Sequence, residues 1–175
     1  MEQVVCVFCA SREDLNPVYP ESARTTGKLL AERGMTLMYG GGKVGLMGEA
    51  ALAVHEHGGK VIGVIPEILL EKEVAYTKAD ELVVTQSMSE RKDILIERSD
   101  AYLILAGGFG TLDELVEVIT LKQLNVHQKP IHIVNTNGFF DPLLAWFDRV
   151  VDQGFAPTTN YYSVFATPEE AIAAL

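Results

Sequence analysis

Residues 101–114 constrain this 175-residue chain more than any other stretch, because there an apolar run stops, the backbone turns on glycines and a helical pattern starts. Ala101-Tyr102-Leu103-Ile104-Leu105 is short, apolar and preceded by Asp100, as expected of a strand buried on both faces of a parallel sheet. After Ala106-Gly107-Gly108-Phe109-Gly110, the residues Leu112, Leu115, Val116 and Ile119 recur at helical spacing. A helix that begins directly after a glycine turn presents unpaired backbone N–H groups and the positive end of its dipole, which together suit a phosphate. Glu114 then lies about one turn above that cradle. Thr111-Leu112-Asp113-Glu114 equally matches a capping box, in which Thr111 and Glu114 satisfy each other's backbone donors and need no substrate. On local pattern alone the capping box is the favoured reading.

The same strand-to-helix alternation runs through the chain. A first strand at Val4–Phe8 leads to a helix opened by Asn16-Pro17 and ended by Gly34. A second strand, Thr36–Tyr39, runs into Gly40-Gly41-Gly42-Lys43-Val44-Gly45, which contains G-x-G-x-x-G at Gly40, Gly42 and Gly45 in the context a dinucleotide fingerprint requires. Glu67 follows the next strand at the distance of a ribose-binding acid, so a nicotinamide reading stays open, although that fingerprint usually sits on a first strand. Residues 66–79 form a mixed, charged excursion beyond a strand end, where ligand covers are often found. A fourth strand precedes Ser87-Met88-Ser89-Glu90-Arg91-Lys92, another capping-box pattern. Arg91 and Lys92 oppose the dipole of the helix they start, which points either to a nearby anion or to pairing with surface acids. The strand at Ile131–Val134 is followed by Asp141-Pro142, expected to cap a helix. Its Leu143, Leu144, Phe147, Val150 and Val151 form a packing stripe that predicts core positions for Trp146 and the phenylalanines. Residues 161–165 read as a last strand, and Thr167-Pro168-Glu169-Glu170 opens a terminal helix. Such alternation predicts one Rossmann-like domain over residues 1–175, a doubly wound parallel sheet with helices on both faces and ligands at the carboxyl ends of the strands.

Charge and cysteine usage narrow the function classes. The formal net charge is -10, from 24 acidic and 14 basic residues, which disfavours nucleic acid and anionic membrane as partners. No apolar stretch approaches the ~20 residues of a membrane span, so a cytoplasmic protein is expected. Cys6 and Cys9 have C-x-x-C spacing, but on a strand residues three apart face opposite ways, and they read as core thiols. His55 and His57, two apart on a helix, cannot share a ligand face. We expect neither metal nor cofactor.

Two motifs together give a more specific reading. Met88-Ser89-Glu90-Arg91-Lys92 resembles the M-x-x-R-K element of the LONELY GUY (LOG) family, and residues 107–114 resemble its P-G-G-x-G-T-x-x-E element. The resemblance extends to Val5-Cys6-Val7-Phe8-Cys9, the turn at residues 39–48, Val64-Ile65-Pro66 and residues 123–130, hence to nearly the whole chain. Proteins of that family are nucleoside 5'-monophosphate phosphoribohydrolases, which cut the N-glycosidic bond of cytokinin riboside monophosphates, and often of AMP, to free base and ribose 5-phosphate. The resemblance implies that Arg91 and Glu114 are catalytic. It also implies substrate contacts at Glu73, Lys92, Gly108, Phe109, Gly110, Thr111, Leu112, Asp113 and Thr120, and a homodimer with each site near the interface. Two positions depart from the family pattern: Ala106 replaces the motif proline, and Ala10-Ser11-Arg12 replaces Gly-Ser-Ser.

The chemistry expected of these residues is glycosidic. Backbone donors of residues 108–111 would hold the 5'-phosphate, and the Glu114 carboxylate would stabilise an oxocarbenium-like state and activate water. Arg91 would orient the nucleotide through charge-assisted hydrogen bonds. The alternative is a non-catalytic nucleotide or molybdenum-cofactor carrier on the same fold, which has no need of Arg91 and Glu114 together. Similar sequences are often labelled lysine decarboxylases, but no pyridoxal-binding lysine is identifiable.

Overall fold

The computed structural model describes residues 2–70 and 74–175. Glu73, one of the expected substrate contacts, lies outside the described residues. Seven parallel strands form one sheet: β1 (Val4–Phe8), β2 (Thr36–Tyr39), β3 (Val61–Pro66), β4 (Glu81–Thr85), β5 (Ala101–Ile104), β6 (Ile131–Val134) and β7 (Ser163–Phe165). Their spatial order is β4-β3-β2-β1-β5-β6-β7. The chain therefore winds outward from β1 in one direction, returns, and winds outward in the other. At such a reversal the flanking connections leave on opposite faces, and a crevice opens beyond the carboxyl ends of β1 and β5.

The helices are α1 (Val18–Glu32), α2 (Gly45–Glu56), α3 (Met88–Arg98), α4 (Phe109–Gln123), α5 (Asp141–Asp152) and α6 (Pro168–Ala173). One face of the sheet is covered by α1, α2 and α6, through Leu30, Leu46, Ala50, Val54 and Ile172. The other carries α3, α4 and α5, through Leu95, Leu115, Val118 and the half-buried Leu144 and Phe147. Alternation along β1 sends Val5, Val7 and Cys9 into the first layer and Cys6 and Phe8 into the second. The two cysteines are thus buried thiols outside any disulfide, on opposite faces, as their spacing predicts. Burial, then the Glu114 charge, pushes the Cys6 thiol well above its ordinary pKa and keeps it protonated.

Local chemistry sets the helix ends. The Val18 N–H donates to Asn16 Oδ1 at 3.2 Å, and Gly34 closes α1 at φ +66°. Ser87 and Glu90 form the expected capping contacts of α3: the Glu90 N–H donates to Ser87 Oγ at 3.1 Å, and the Gln86 N–H to Glu90 Oε2 at 2.7 Å. Thr167 and Glu170 repeat the arrangement at α6. Asp141 is the first residue of α5 rather than its cap. Phe140 holds the cap position without a side-chain cap, and Asn135 braces this end, accepting from the Phe140 N–H at 2.8 Å and donating to Asp141 Oδ1 at 2.7 Å.

The expected core role of α5 is corrected. Phe140 is buried and Phe147 packs partly inward, but α5 contains no buried residue, Trp146 is 56% exposed, and Phe139, Phe155 and Phe109 are exposed too. Amphipathic spacing reports a face that favours burial, and α5, which joins β6 to the three-residue edge strand β7, has that face only partly covered.

Candidate active site

A cleft of about 290 Å³ opens at the sheet's reversal point. Its walls come from the end of β1 (Val7 to Ala10), the following Ser11 and Arg12, Gly40 after β2, Met47 of α2, Arg91 of α3, and Gly108, Phe109, Gly110, Thr111 and Glu114 of the β5–α4 turn. Segments far apart in sequence meet here because each follows, or packs against, the carboxyl end of a central strand.

The β5–α4 turn differs from the capping box favoured by local pattern. Gly108 is the cap residue and α4 starts at Phe109, so Thr111 lies inside the first turn and makes no side-chain cap. A Cβ on Gly107 would fall 2.0 Å from Thr111 Oγ1, so the absence of a side chain there lets the buried Thr111 fold back over the turn. The Leu112 N–H donates to the Gly108 carbonyl at 3.0 Å. Among the described residues, no backbone carbonyl of another segment meets the N–H groups of Phe109, Gly110 and Thr111. These donors, with the helix dipole behind them, face an anion-sized space. Glu114, half-buried, is one turn further on the same wall.

Arg91 is held rather than free. Its side chain is buried, Nε donates to the Val64 carbonyl at 3.1 Å, and Nη2 donates to the Gly40 carbonyl at 3.3 Å. A Cβ on Gly40 would lie 1.9 Å from that Nη2, so Gly40 is the clearance for a guanidinium. Fixed by two carbonyls and facing the cleft, a permanently charged fork at this point supplies a preorganised positive field beside the Glu114 carboxylate.

The remaining expected contacts divide. Lys92 turns away from the cleft and pairs with Glu117 at 2.9 Å and Asp113 at 3.0 Å, and its pKa is raised by those carboxylates, Glu117 first. With Asp113, Leu112 and Thr120 it lines a second, more open cavity of about 540 Å³ on the outer side of α4. Phe109, 91% exposed, borders both cavities. The Thr120 hydroxyl donates to the Val116 carbonyl at 2.7 Å. Of the two readings of the cations that open α3, the nearby anion fits Arg91 and the surface acids fit Lys92.

The dinucleotide fingerprint is also resolved by geometry. The N–H groups of Leu46 and Met47, in the first turn of α2, donate to the Ala10 carbonyl at 2.9 and 3.3 Å. The place a pyrophosphate would take is filled by the chain's own backbone, and Glu67 is exposed on a short 3₁₀ turn outside the cleft. His55 contacts Tyr76 Oη at 2.7 Å and Asp80 Oδ2 at 3.0 Å, while His57 bonds the Ala53 carbonyl. Among the described residues no metal-ligand cluster exists and no lysine lines the cleft. Sequence reasoning missed Cys9, Met47 and Arg12 as wall residues; the position of β1 at the reversal point is the signal that marks them.

A family model described as "Possible lysine decarboxylase" matches residues 47–175. The chain is 46% identical over 165 residues, 94% of its length and 73% of the relative's, to a probable cytokinin riboside 5'-monophosphate phosphoribohydrolase, LOGL9, of Oryza sativa subsp. japonica. It is 44% identical over 151 residues, 86% of its length and 70% of the relative's, to the cytokinin riboside 5'-monophosphate phosphoribohydrolase LOG7 of Arabidopsis thaliana. Among solved structures it resembles a Moco carrier protein from Chlamydomonas reinhardtii with a TM-score of 0.76 at 26% identity, covering 99% of this chain and 95% of that one. Matched along nearly its whole length, with Arg91 and Glu114 brought into one cleft, the chain belongs to the LOG family.

Proposed function

We propose that this protein hydrolyses the N-glycosidic bond of nucleoside 5'-monophosphates, cytokinin riboside monophosphates and AMP among them, to free base and ribose 5-phosphate. The observation that carries the reading is the convergence of a buried, carbonyl-anchored Arg91 and the Glu114 carboxylate beside the open N-terminus of α4. The phosphate is held by the donors of residues 109–111, which places the sugar beneath Glu114. As the bond to the base lengthens, positive charge develops on the sugar, and an adjacent carboxylate stabilises it and can activate water. Arg91 binds and orients the nucleotide without itself reorganising, because Val64 and Gly40 already fix it.

The carrier reading has weaker support, since the carrier structure is 26% identical to this chain and the phosphoribohydrolases 40–46%. The family model's decarboxylase description finds no lysine at the cleft among the described residues. We read residues 1–175 as one nucleotide-binding domain, acting in the cytoplasm as a homodimer. Exposed Val116, Leu124 and Val126 on the α4 side support the dimer, and a second copy there would close the cavity lined by Lys92, Asp113 and Thr120. No helix among the described residues is long and apolar enough to cross a membrane.

The test is product analysis with AMP and isopentenyladenosine 5'-monophosphate. Wild-type protein should release base and ribose 5-phosphate, and Glu114→Gln and Arg91→Ala should each reduce the rate by about 100-fold or more. Undiminished release in either variant refutes that residue's assignment, and tight nucleotide binding without turnover in the wild type would restore the carrier.

A further inference from the structure

Arg12 stands where the family pattern has serine. Its backbone is fixed. The Ala10 N–H donates to the Ala106 carbonyl at 3.1 Å, the Ala10 carbonyl receives the α2 donors, and Gly45 packs so closely that a Cβ there would lie 2.6 Å from the Arg12 carbonyl oxygen. Through Ala106, two residues before Gly108, the segment carrying Arg12 is bonded directly to the turn that starts α4. The Arg12 side chain is exposed, lines the same cleft as those donors, and makes no hydrogen bond or ion pair among the described residues. Glu13, Asp14 and Glu49 share the neighbouring groove with it, yet none pairs with it, and Glu49 is held by Arg24 at 2.8 Å.

Charge makes the position consequential. The ionisable walls of the cleft, cysteine aside, are Arg12, Arg91 and Glu114, a formal sum of +1 that falls to zero without Arg12. The chain as a whole carries -10, so an incoming phosphate dianion meets a repulsive field everywhere except where local cations offset it. Arg91 has its Nε and Nη2 donors on carbonyls, whereas the guanidinium of Arg12 has all its donors available.

We infer that Arg12 is a substrate-binding residue that closes over the 5'-phosphate from the side opposite the α4 N-terminus, attracting the dianion and selecting phosphorylated over unphosphorylated nucleosides. This rests on the proposed phosphoribohydrolase reading. Because the contact forms in the ground state and persists in the transition state, its loss acts on KM more than on kcat.

The test compares wild type, Arg12→Gln and Arg12→Lys with AMP at low salt and at 0.5 M salt, where the Debye length falls to about 4 Å, alongside calorimetric binding of ribose 5-phosphate. Arg12→Gln should raise KM about tenfold at low salt, the lower end for a charge-assisted hydrogen bond because the group is exposed, with kcat changed less than about threefold. Arg12→Lys should recover part of that loss, and high salt should shrink the difference from wild type. An unchanged KM, or a loss equal in kcat and KM at every salt concentration, overturns the inference. If the wild type shows no turnover, the phosphoribohydrolase reading fails on its own, and the ribose 5-phosphate titration still decides Arg12: equal affinity in wild type and Arg12→Gln refutes it, weaker affinity in the variant upholds it.

Discussion

Two glycine-rich turns link a central strand to a helix in this protein, and they have opposite fates. At the β2–α2 turn the first-turn donors are taken by the Ala10 carbonyl, and the glycines make room for neighbours: Gly40 for the Arg91 guanidinium, Gly45 for the backbone of Ser11 and Arg12. At the β5–α4 turn the glycines make room for Thr111 alone, and among the described residues no carbonyl of another segment crosses the donors of residues 109–111. Both would pass as phosphate loops by pattern. A glycine motif specifies that the chain can turn sharply before a helix, and what occupies the helix N-terminus depends on which segment the fold lays across it.

The largest effect should come from closing the open turn. Gly107→Ala puts a methyl where Thr111 now packs, displaces the first turn of α4, and should lower kcat/KM for AMP by about 100-fold, or about 3 kcal/mol of transition-state binding. Turnover within a factor of two of wild type would show that the open turn is not the phosphate site. Next comes the filled turn. Gly45→Ala combines a residue at φ +62° with a Cβ 2.5 Å from the Ser11 carbonyl carbon, and urea unfolding should show a loss of about 2–3 kcal/mol. Gly34→Ala is its control, with φ +66° and nothing within 4 Å, and should cost only about 1 kcal/mol. Equal costs at the two positions would mean that the contact with Ser11 and Arg12 contributes nothing.

A pH series is the mildest probe, because it should move the fold without touching either turn. His132 on β6 is buried and donates Nδ1–H to the Ala171 carbonyl at 2.8 Å, and burial lowers its pKa. A depressed folded pKa means that the neutral ring's contribution is complete above the unfolded value of about 6.5 and is lost as pH falls through the folded value. His132→Gln should therefore flatten the acid limb of stability below about pH 6.5, measured by thermal unfolding across pH. An unaltered acid limb would place the sensitivity elsewhere.

How much of this was legible in advance follows from range. Strands and helices were readable because apolar spacing and capping residues act within a few positions: Val4–Phe8, Ser87 with Glu90, and Thr167 with Glu170 all form as their patterns require. Arg91 and Glu114 were marked by motif, and the fold brings them to one cleft. Lys92 was marked by the same motif and went elsewhere, because one residue further along α3 turns its side chain toward Glu117 and Asp113. Trp146 was misplaced because a stripe on a helix says nothing about whether another surface lies opposite.

By itself the sequence determined the alternation of elements, the parallel sheet and the residues able to act on a nucleotide, since each depends on local periodicity or on side-chain chemistry. Only the tertiary structure decided that Gly108 rather than Thr111 caps α4, that Ala10 fills the N-terminus of α2 while no such carbonyl crosses that of α4 among the described residues, and that Arg12 reaches the cleft. The physical reason is that hydrogen-bond donors and charges are satisfied by whatever is nearest in space, and nearness across the sheet is set by strand order, which no local window contains.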